Sequence, residues 1–474
     1  MGVQDYGLYN VVGGFVTLFA FLNGAMSTAT QRFITFELAK GNLKRQKITF
    51  STSLIIHFSL AAIIVVFAET IGLWMLYEKL VIPESRFTAA MWVYQLSIAS
   101  CVLSIVSLPY NAMVIAHEKM SAFAYISIMD TVLKLVIVYF LTITPFDRLI
   151  FYALLLFGVQ VLDRVIYGVY CSKNFAEAKF VFAFDKKIFG EMSNIAGWSL
   201  FGNLAGVGYT QGLNLLLNMF FGTVVNAARG VAVTVQGVVS GFVSNFQMAL
   251  NPQITKSYAV NDLSRMHKLI FASSKFSFFL LFVIILPISV EADFILKLWL
   301  KIVPEHTVWF LRLTLCIMLI DTLANPLIVA SQAAGKVKKY QSIVGGTLLL
   351  IVPLAYVVLK LGGNPESVFF VHLLVAIVAQ VFRILIISRI INMSLCSYWN
   401  NVLIKVLCVC LFSTIIVLVV RSMMSQSVVS SLLSVFFSVV INIFVIAFCG
   451  LTSNERGIVM QKVRNIVSNL NHAK

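Results

Sequence analysis

Residues 428–450 read VVSSLLSVFFSVVINIFVIAFCG, twenty-three residues without one charge. An α-helix needs about 20 mostly apolar residues to cross the roughly 30 Å of a bilayer's hydrocarbon. The run is continuous, so it is not one of the alternating strands of about 10 residues that build a membrane β-barrel. The same signature recurs along the chain. Thirteen spans are predicted, at 8–28, 49–77, 88–116, 121–143, 149–171, 193–219, 224–252, 269–291, 307–331, 341–361, 367–391, 402–421 and 428–450. The predicted fold class is all-α, a polytopic integral membrane protein.

Composition agrees with that reading. Of 474 residues, 60% are hydrophobic and 11% charged, with a mean hydropathy of +0.94. Soluble domains carry about 25% charged residues, so an ordinary soluble enzyme and a disordered chain are both excluded. The net charge of +16 would suit nucleic acid if the cations shared a solvated face. They lie instead in short gaps between apolar runs, and no nucleic-acid partner is expected. The seven cysteines (Cys101, Cys171, Cys316, Cys396, Cys408, Cys410 and Cys449) form no CxxC pair. Their number and apolar settings point to packing residues, not to a disulfide framework or a zinc site.

Loop charge sets orientation, because cytoplasmic loops are enriched in Lys and Arg. One alternate set of loops holds twenty-one cations, with clusters at Lys44-Arg45-Lys47 and Lys336-Lys338-Lys339; the other set holds six. The first set is therefore read as cytoplasmic, with the C-terminus inside. Thirteen spans then put Met1 outside, yet Met1–Gly7 has no positive n-region. The expectation is one further helix upstream, for fourteen in full.

The two halves repeat. At an offset of 222, Val11, Val16, Asn23, Met26 and Gln31 match Val233, Val238, Asn245, Met248 and Gln253. At 217, Pro109, Ala116, Lys119 and Ile126 match Pro326, Ala333, Lys336 and Ile343, with Phe123 falling on Tyr340. Gln160–Arg164 resembles Gln380–Arg383 with one residue dropped. The offset spans six helices, and an even number preserves topology. The halves are therefore expected to be two six-helix lobes related by an axis along the membrane normal. The domains read as 1–188, the N-terminal lobe lacking its first helix, 189–395, the C-terminal lobe, and 396–474, two extra helices with a cytoplasmic tail.

Several stretches carry a family resemblance. Gly2-Val3-Gln4-Asp5-Tyr6-Gly7-Leu8-Tyr9-Asn10-Val11-Val12-Gly13-Gly14 resembles the segment after the first helix of polysaccharide (Wzx-type) flippases. Asn226-Ala227-Ala228-Arg229-Gly230, Asn251–Tyr258 and Ile166–Cys171 are similar to stretches of the same group, especially its Bacteroides-type members. These flippases belong to the multidrug/oligosaccharidyl-lipid/polysaccharide exporter superfamily. The resemblance implies a bacterial inner-membrane transporter, not an enzyme, whose cargo is an oligosaccharide joined through pyrophosphate to a polyprenyl lipid. Its product would feed capsule, O-antigen or lipopolysaccharide assembly, with a polysaccharide polymerase and glycosyltransferases as partners. The chain has no GxxxxGK[ST] loop, so ATP is not its own energy source. No cofactor is expected beyond a coupling Na+ or H+.

Charges deep inside spans are functional hypotheses by default. Six stand there: Asp130, Lys134, Asp163, Arg164, Asp321 and Arg383. Asp130 and Lys134 are i,i+4 and can pair on one helix face, either as a neutralised structural pair or as a lumen cation held by a carboxylate that also binds a coupling ion. Arg164 and Arg383 occupy matching repeat positions, and planar guanidinium forks suit a pyrophosphate; snorkelling to the inner interface is the other reading. Asp321 has no opposite charge at i±3 or i±4, so it either couples an ion or packs protonated. Arg229 either guides cargo out or snorkels near the outer end of its span. Arg32, beside Gln31 at an inner helix end, either catches pyrophosphate on entry or sets topology. The substrate-binding candidates are thus Arg164, Arg383, Lys134, Arg229 and Arg32, and the ion-coupling candidates Asp321 and Asp130. No catalytic or metal site is expected. Three rivals stay open: a cation-coupled multidrug antiporter of the same superfamily, a lipid II flippase, and a non-transporting scaffold for glycan-assembly enzymes.

Overall fold

The computed structural model describes residues 8–9, 20–78, 82–143, 145–181, 183–300, 302–425, 427–452, 455–457 and 461. The motif at Gly2–Gly14 falls almost wholly outside these residues, as do positions 10–19 of the first predicted span and the tail cations Lys462, Arg464 and Lys474. Within the described residues the chain is helical throughout, with no strand. Eleven helical segments are long and apolar enough to cross a membrane: Leu43–Glu78, Glu84–Ala116, Met120–Leu141, Arg148–Asn174, Lys186–Ala259, Leu263–Val290, Thr307–Ala333, Val337–Lys360, Ser367–Ile390, Leu395–Ser422 and Val428–Gly450.

The 74-residue segment Lys186–Ala259 supplies two crossings. Gly222 has φ 79° and ψ −169°, a region of backbone space open essentially to glycine alone. Arg229 Nη2 donates to the Thr210 carbonyl at 2.9 Å. Nineteen residues of unbroken helix would hold those groups about 28 Å apart, so the chain reverses at Gly222. The predicted spans 193–219 and 224–252 are the two arms of that hairpin, each longer than the sequence suggested.

Three spans depart from the sequence reading. The first helix described runs Ala20–Lys40, not to residue 28. The polar run after Asn23 continues it because hydroxyls find acceptors on their own helix, as Thr28 Oγ1 does on the Gly24 carbonyl at 2.8 Å. Arg32 therefore lies two turns inside this helix and not at its end. The span 307–331 is broken into Thr307–Thr322 and Asn325–Ala333, with Pro326 in the first turn of the second piece, where its missing N–H costs nothing. Gln247 Nε2 reaches the Thr322 carbonyl at the break, 3.0 Å away. The span 341–361 is likewise two helices, Val337–Leu349 and Ile351–Lys360, with Pro353 opening the second. Pro109, the repeat mate of Pro326, stays inside the unbroken helix Phe87–Ala116.

The chain divides into two compact units. The first holds the chain through Leu204 together with Thr255–Asp262. Its core gathers Phe50, Leu54, Met113, Val114, Tyr167 and Cys171, with Phe50 edge-on to Tyr110 at 5.3 Å. Loop contacts close one end: His117 stacks on Phe175 at 4.0 Å and bonds the Glu177 carboxylate, and Lys256 pairs with Glu118.

The second unit holds Ala205–Ile254 and the chain from Leu263 onward. Leu263–Val290 and Thr307–Ala333 are its most enclosed spans, 61% and 67% buried, against 22% for Val428–Gly450. The poorly buried spans expose rows of large apolar side chains, such as Phe436, Phe437 and Phe444, which only lipid or another apolar partner would cover. The last two spans pack onto Leu263–Val290. Gly450 makes room for the Phe279 ring, which would lie 2.7 Å from a Cβ there, and for Val409 at 3.2 Å. Below this contact the buried Lys275 ammonium bonds both oxygens of Glu455, at 2.7 and 2.6 Å. Thr452 and Glu455 also bond each other's backbone N–H.

Candidate functional site

The deep charges fall into two groups, one in each unit. In the first, Lys134 Nζ lies 2.8 Å from Asp130 Oδ2, the i,i+4 pair read from the sequence. Asp163, from Arg148–Asn174, brings its carboxyl into hydrogen-bond contact with Asp130 and within the field of Lys134. Two neighbouring carboxyls cannot both ionise comfortably, so this pair, with the Lys134 ammonium bonded to Asp130 alone, can hold a proton or a small cation. Arg164 turns the other way, its guanidinium 4.0 Å above the Tyr110 ring. The next turn makes way for it, since a Cβ on Gly168 would sit 2.8 Å from Arg164 Nη1. Arg32 lies over Phe33 and Phe36, at 4.4 and 4.6 Å, with Glu37 and Glu191 as its electrostatic neighbours.

In the second unit Asp321 is not a lone carboxylate, contrary to the sequence reading. Arg383 Nη1 lies 3.7 Å from Asp321 Oδ1. The pairing is invisible at i±3 and i±4 because the guanidinium arrives from Ser367–Ile390, sixty-two residues along the chain. Arg383 Nη1 also donates to Gln380 Oε1 at 3.3 Å, and the Tyr340 hydroxyl faces the same guanidinium. Tyr209 stands within the field of Asp321, Arg383 and Arg229, and its ring meets the His372 ring edge-on at 5.0 Å. Arg229 is 4% exposed. It is buried against the Thr210 carbonyl, where it staples the two arms of the hairpin, and does not reach out to an interface.

The structure thus gathers Asp130 with Lys134, and Asp321 with Arg383. Arg164 and Arg383, the repeat mates, lie in separate units and have different partners. Sequence reasoning missed Tyr340, His372 and Gln380 as members of the second group. It also missed Lys275, whose charge six residues into the predicted span 269–291 was the signal that could have found it. Among the described residues no cluster of three or more His, Cys, Asp or Glu could hold a metal ion.

No family model matches the chain, and no curated protein sequence matches it significantly. Solved structures do. An outward-facing multidrug resistance MATE family transporter of the MOP superfamily aligns with a TM-score of 0.69 at 15% identity, covering 83% of this chain and 90% of that one. The fold is that of the MATE transporters. A MATE structure in complex with MaL6 gives the same TM-score at 14% identity, over 82% of this chain and 91% of that one. A MOP superfamily transporter from Pyrococcus furiosus, described as having a binding pocket of reverse polarity, gives 0.64 at 14%, over 81% and 93%. The fold is all-helical and polytopic, as the sequence reading required, and likeness of fold is what these structures share with this chain.

Proposed function

We propose that this protein is a membrane transporter that moves polyprenyl-pyrophosphate-linked oligosaccharides across the bacterial inner membrane by alternating access, its C-terminus cytoplasmic. The observation that carries the anionic cargo is the interior charge of the second unit. Two guanidiniums, Arg229 and Arg383, are each 4% exposed, and the carboxylate that Arg383 meets is Asp321. A buried charge is retained against its desolvation cost only where something compensates it, and an incoming phosphate oxygen supplies what the protein leaves short. A cavity selected for cationic drugs would carry the opposite excess.

On this reading Arg383 and Arg164 bind pyrophosphate, Lys134 lines the path, Arg32 attracts the anion at entry, and the unpartnered Nη1 of Arg229 offers a donor further along. Asp130, with Asp163, takes the coupling H+ or Na+, and Asp321 is the second place for it. A polysaccharide polymerase and glycosyltransferases would supply and consume the cargo. The chemistry is binding and release, with no covalent step. The test is a gene deletion, read by surface polysaccharide and by lipid-linked repeat units on the inner leaflet. Lost surface glycan with intact, trapped intermediates is the expected result. The fold likeness to a multidrug resistance transporter favours one second reading, efflux of cationic drugs. Normal glycan with altered drug resistance would establish it instead.

A further inference from the structure

The Asp321–Arg383 pair is unequal. The guanidinium side chain is 5% exposed and the carboxylate 38%. Arg383 is therefore held in place by its surroundings, whereas Asp321 is open on one side. Its helix ends one residue later, at Thr322, so the carboxylate sits on the last turn before a break and not in the middle of a rigid rod. The contact is also loose. At 3.7 Å it is about 0.9 Å longer than a close charged hydrogen bond of about 2.8 Å.

The surroundings of the guanidinium are over-supplied with donors. Arg383 Nε is buried without a partner, and so is Gln380 Nε2. The Tyr340 hydroxyl, within the field of the same guanidinium, is likewise buried without a hydrogen-bond partner. Buried polar groups are normally satisfied, and each exception calls for an explanation. A carboxylate at this distance satisfies neither idle nitrogen. A phosphate, with several oxygens spread over a tetrahedron, matches a guanidinium edge, an amide N–H and a hydroxyl together.

We propose that Arg383, Gln380 and Tyr340 form a phosphate subsite that Asp321 occupies in place of cargo, so that the carboxylate must swing aside before a phosphate or pyrophosphate ester binds. The inference rests on the anionic-cargo reading above and adds an internal competitor to it. It makes cargo and ion cooperative at this point, because an ion that neutralises Asp321 frees the same guanidinium that the anion needs. A site whose competent state is held down by its own carboxylate binds with an affinity reduced by that population.

The test is direct binding to the purified full-length chain, with inorganic pyrophosphate as probe in detergent free of anionic lipid. Asp321→Asn should bind about tenfold more tightly than the unaltered protein, and Arg383→Gln on that background should abolish the gain. Asp321→Ala serves where the Asn variant is recovered poorly. Equal affinities in the unaltered protein and in whichever variants fold overturn the proposal, as does a gain that survives Arg383→Gln. Farnesyl pyrophosphate should bind at least as tightly as the inorganic ion, and the gain should persist in nanodiscs containing phosphatidylglycerol. Its disappearance there would assign the subsite to lipid headgroups and sink the cargo assignment. Binding and export fail separately: normal surface glycan in a deletion strain refutes the flippase reading, whereas unchanged pyrophosphate affinity refutes the competitor.

Discussion

In the first unit Asp130 meets its cation on its own helix; in the second, Asp321 meets its cation on another. The repeat shows how the difference arose. At the offset of 217 that aligns Pro109 with Pro326, Tyr110 falls on Leu327, Phe123 on Tyr340 and Ser104 on Asp321. Arg164 stacks on the tyrosine that the second unit lacks, and Arg383 reaches the carboxylate and the tyrosine that the first unit lacks. Two copies of one helical frame thus hold an arginine at the same station and give it unrelated work. Likeness of sequence between the halves does not carry likeness of chemistry, because a few side chains at the contact decide it.

The comparison can be broken by the cost of removing each cation. Arg383→Gln removes a buried cation from a pair whose carboxylate is 38% exposed and should destabilise the protein by about 2 kcal/mol, short of the loss for a fully buried pair. Lys134→Gln, in a pair whose ammonium is 44% exposed, should cost less than about 1 kcal/mol. Denaturant unfolding in detergent measures both, and equal losses would remove the contrast. The second unit also depends on its hairpin. Gly222→Ala should cost about 2 kcal/mol through backbone strain alone, since no atom lies within 4 Å of a Cβ built there. Gly206→Ala, on the helical arm with equally open space, should be neutral or stabilising by up to about 1 kcal/mol. A benign Gly222→Ala would show that the reversal needs no positive φ.

Smaller effects sharpen the picture. Tyr340→Phe should be neutral or stabilising by up to about 1 kcal/mol, because it removes a buried hydroxyl that has no hydrogen-bond partner. Tyr110→Leu, which installs the second unit's residue in the first, should instead cost about 1 kcal/mol by removing the face on which Arg164 rests. Thermal unfolding of the two variants side by side checks whether each arginine depends on its own tyrosine. The smallest effect lies outside the spans. The hydrogen bond from His117, opposed by burial, holds the Glu177 carboxyl below the usual carboxylate range. A depressed value in the folded state stabilises above the unfolded pKa of about 4.3, and that contribution fades as pH falls through the lower folded value. The unfolding temperature of the unaltered protein should therefore drop more between pH 5 and pH 3 than that of Glu177→Gln, and parallel curves would refute the link.

The crossings themselves were legible because each is a local property. Spans at 88–116, 121–143, 367–391 and 428–450 match the helices Phe87–Ala116, Met120–Ile143, Ser367–Ile390 and Val428–Gly450 within a few residues. Ends were less legible where polar residues satisfy themselves on their own helix, as Thr28 does, or where a proline opens a second helix, as at Pro326 and Pro353. Of the candidate site, the Asp130–Lys134 pair was readable for the same reason, being a contact four residues long.

What the sequence by itself determined is the solvent this chain requires and where most of its crossings lie. The free energy of placing twenty apolar residues in hydrocarbon is a sum over neighbours in the chain. What only the tertiary structure decided is who answers Asp321, where the Thr307–Ala333 span breaks, and that Arg229 turns inward to hold a hairpin closed. Each of those is a contact between residues tens of positions apart in sequence. Such contacts are chosen by how whole helices pack, because a buried charge takes whatever partner the neighbouring helix brings within reach.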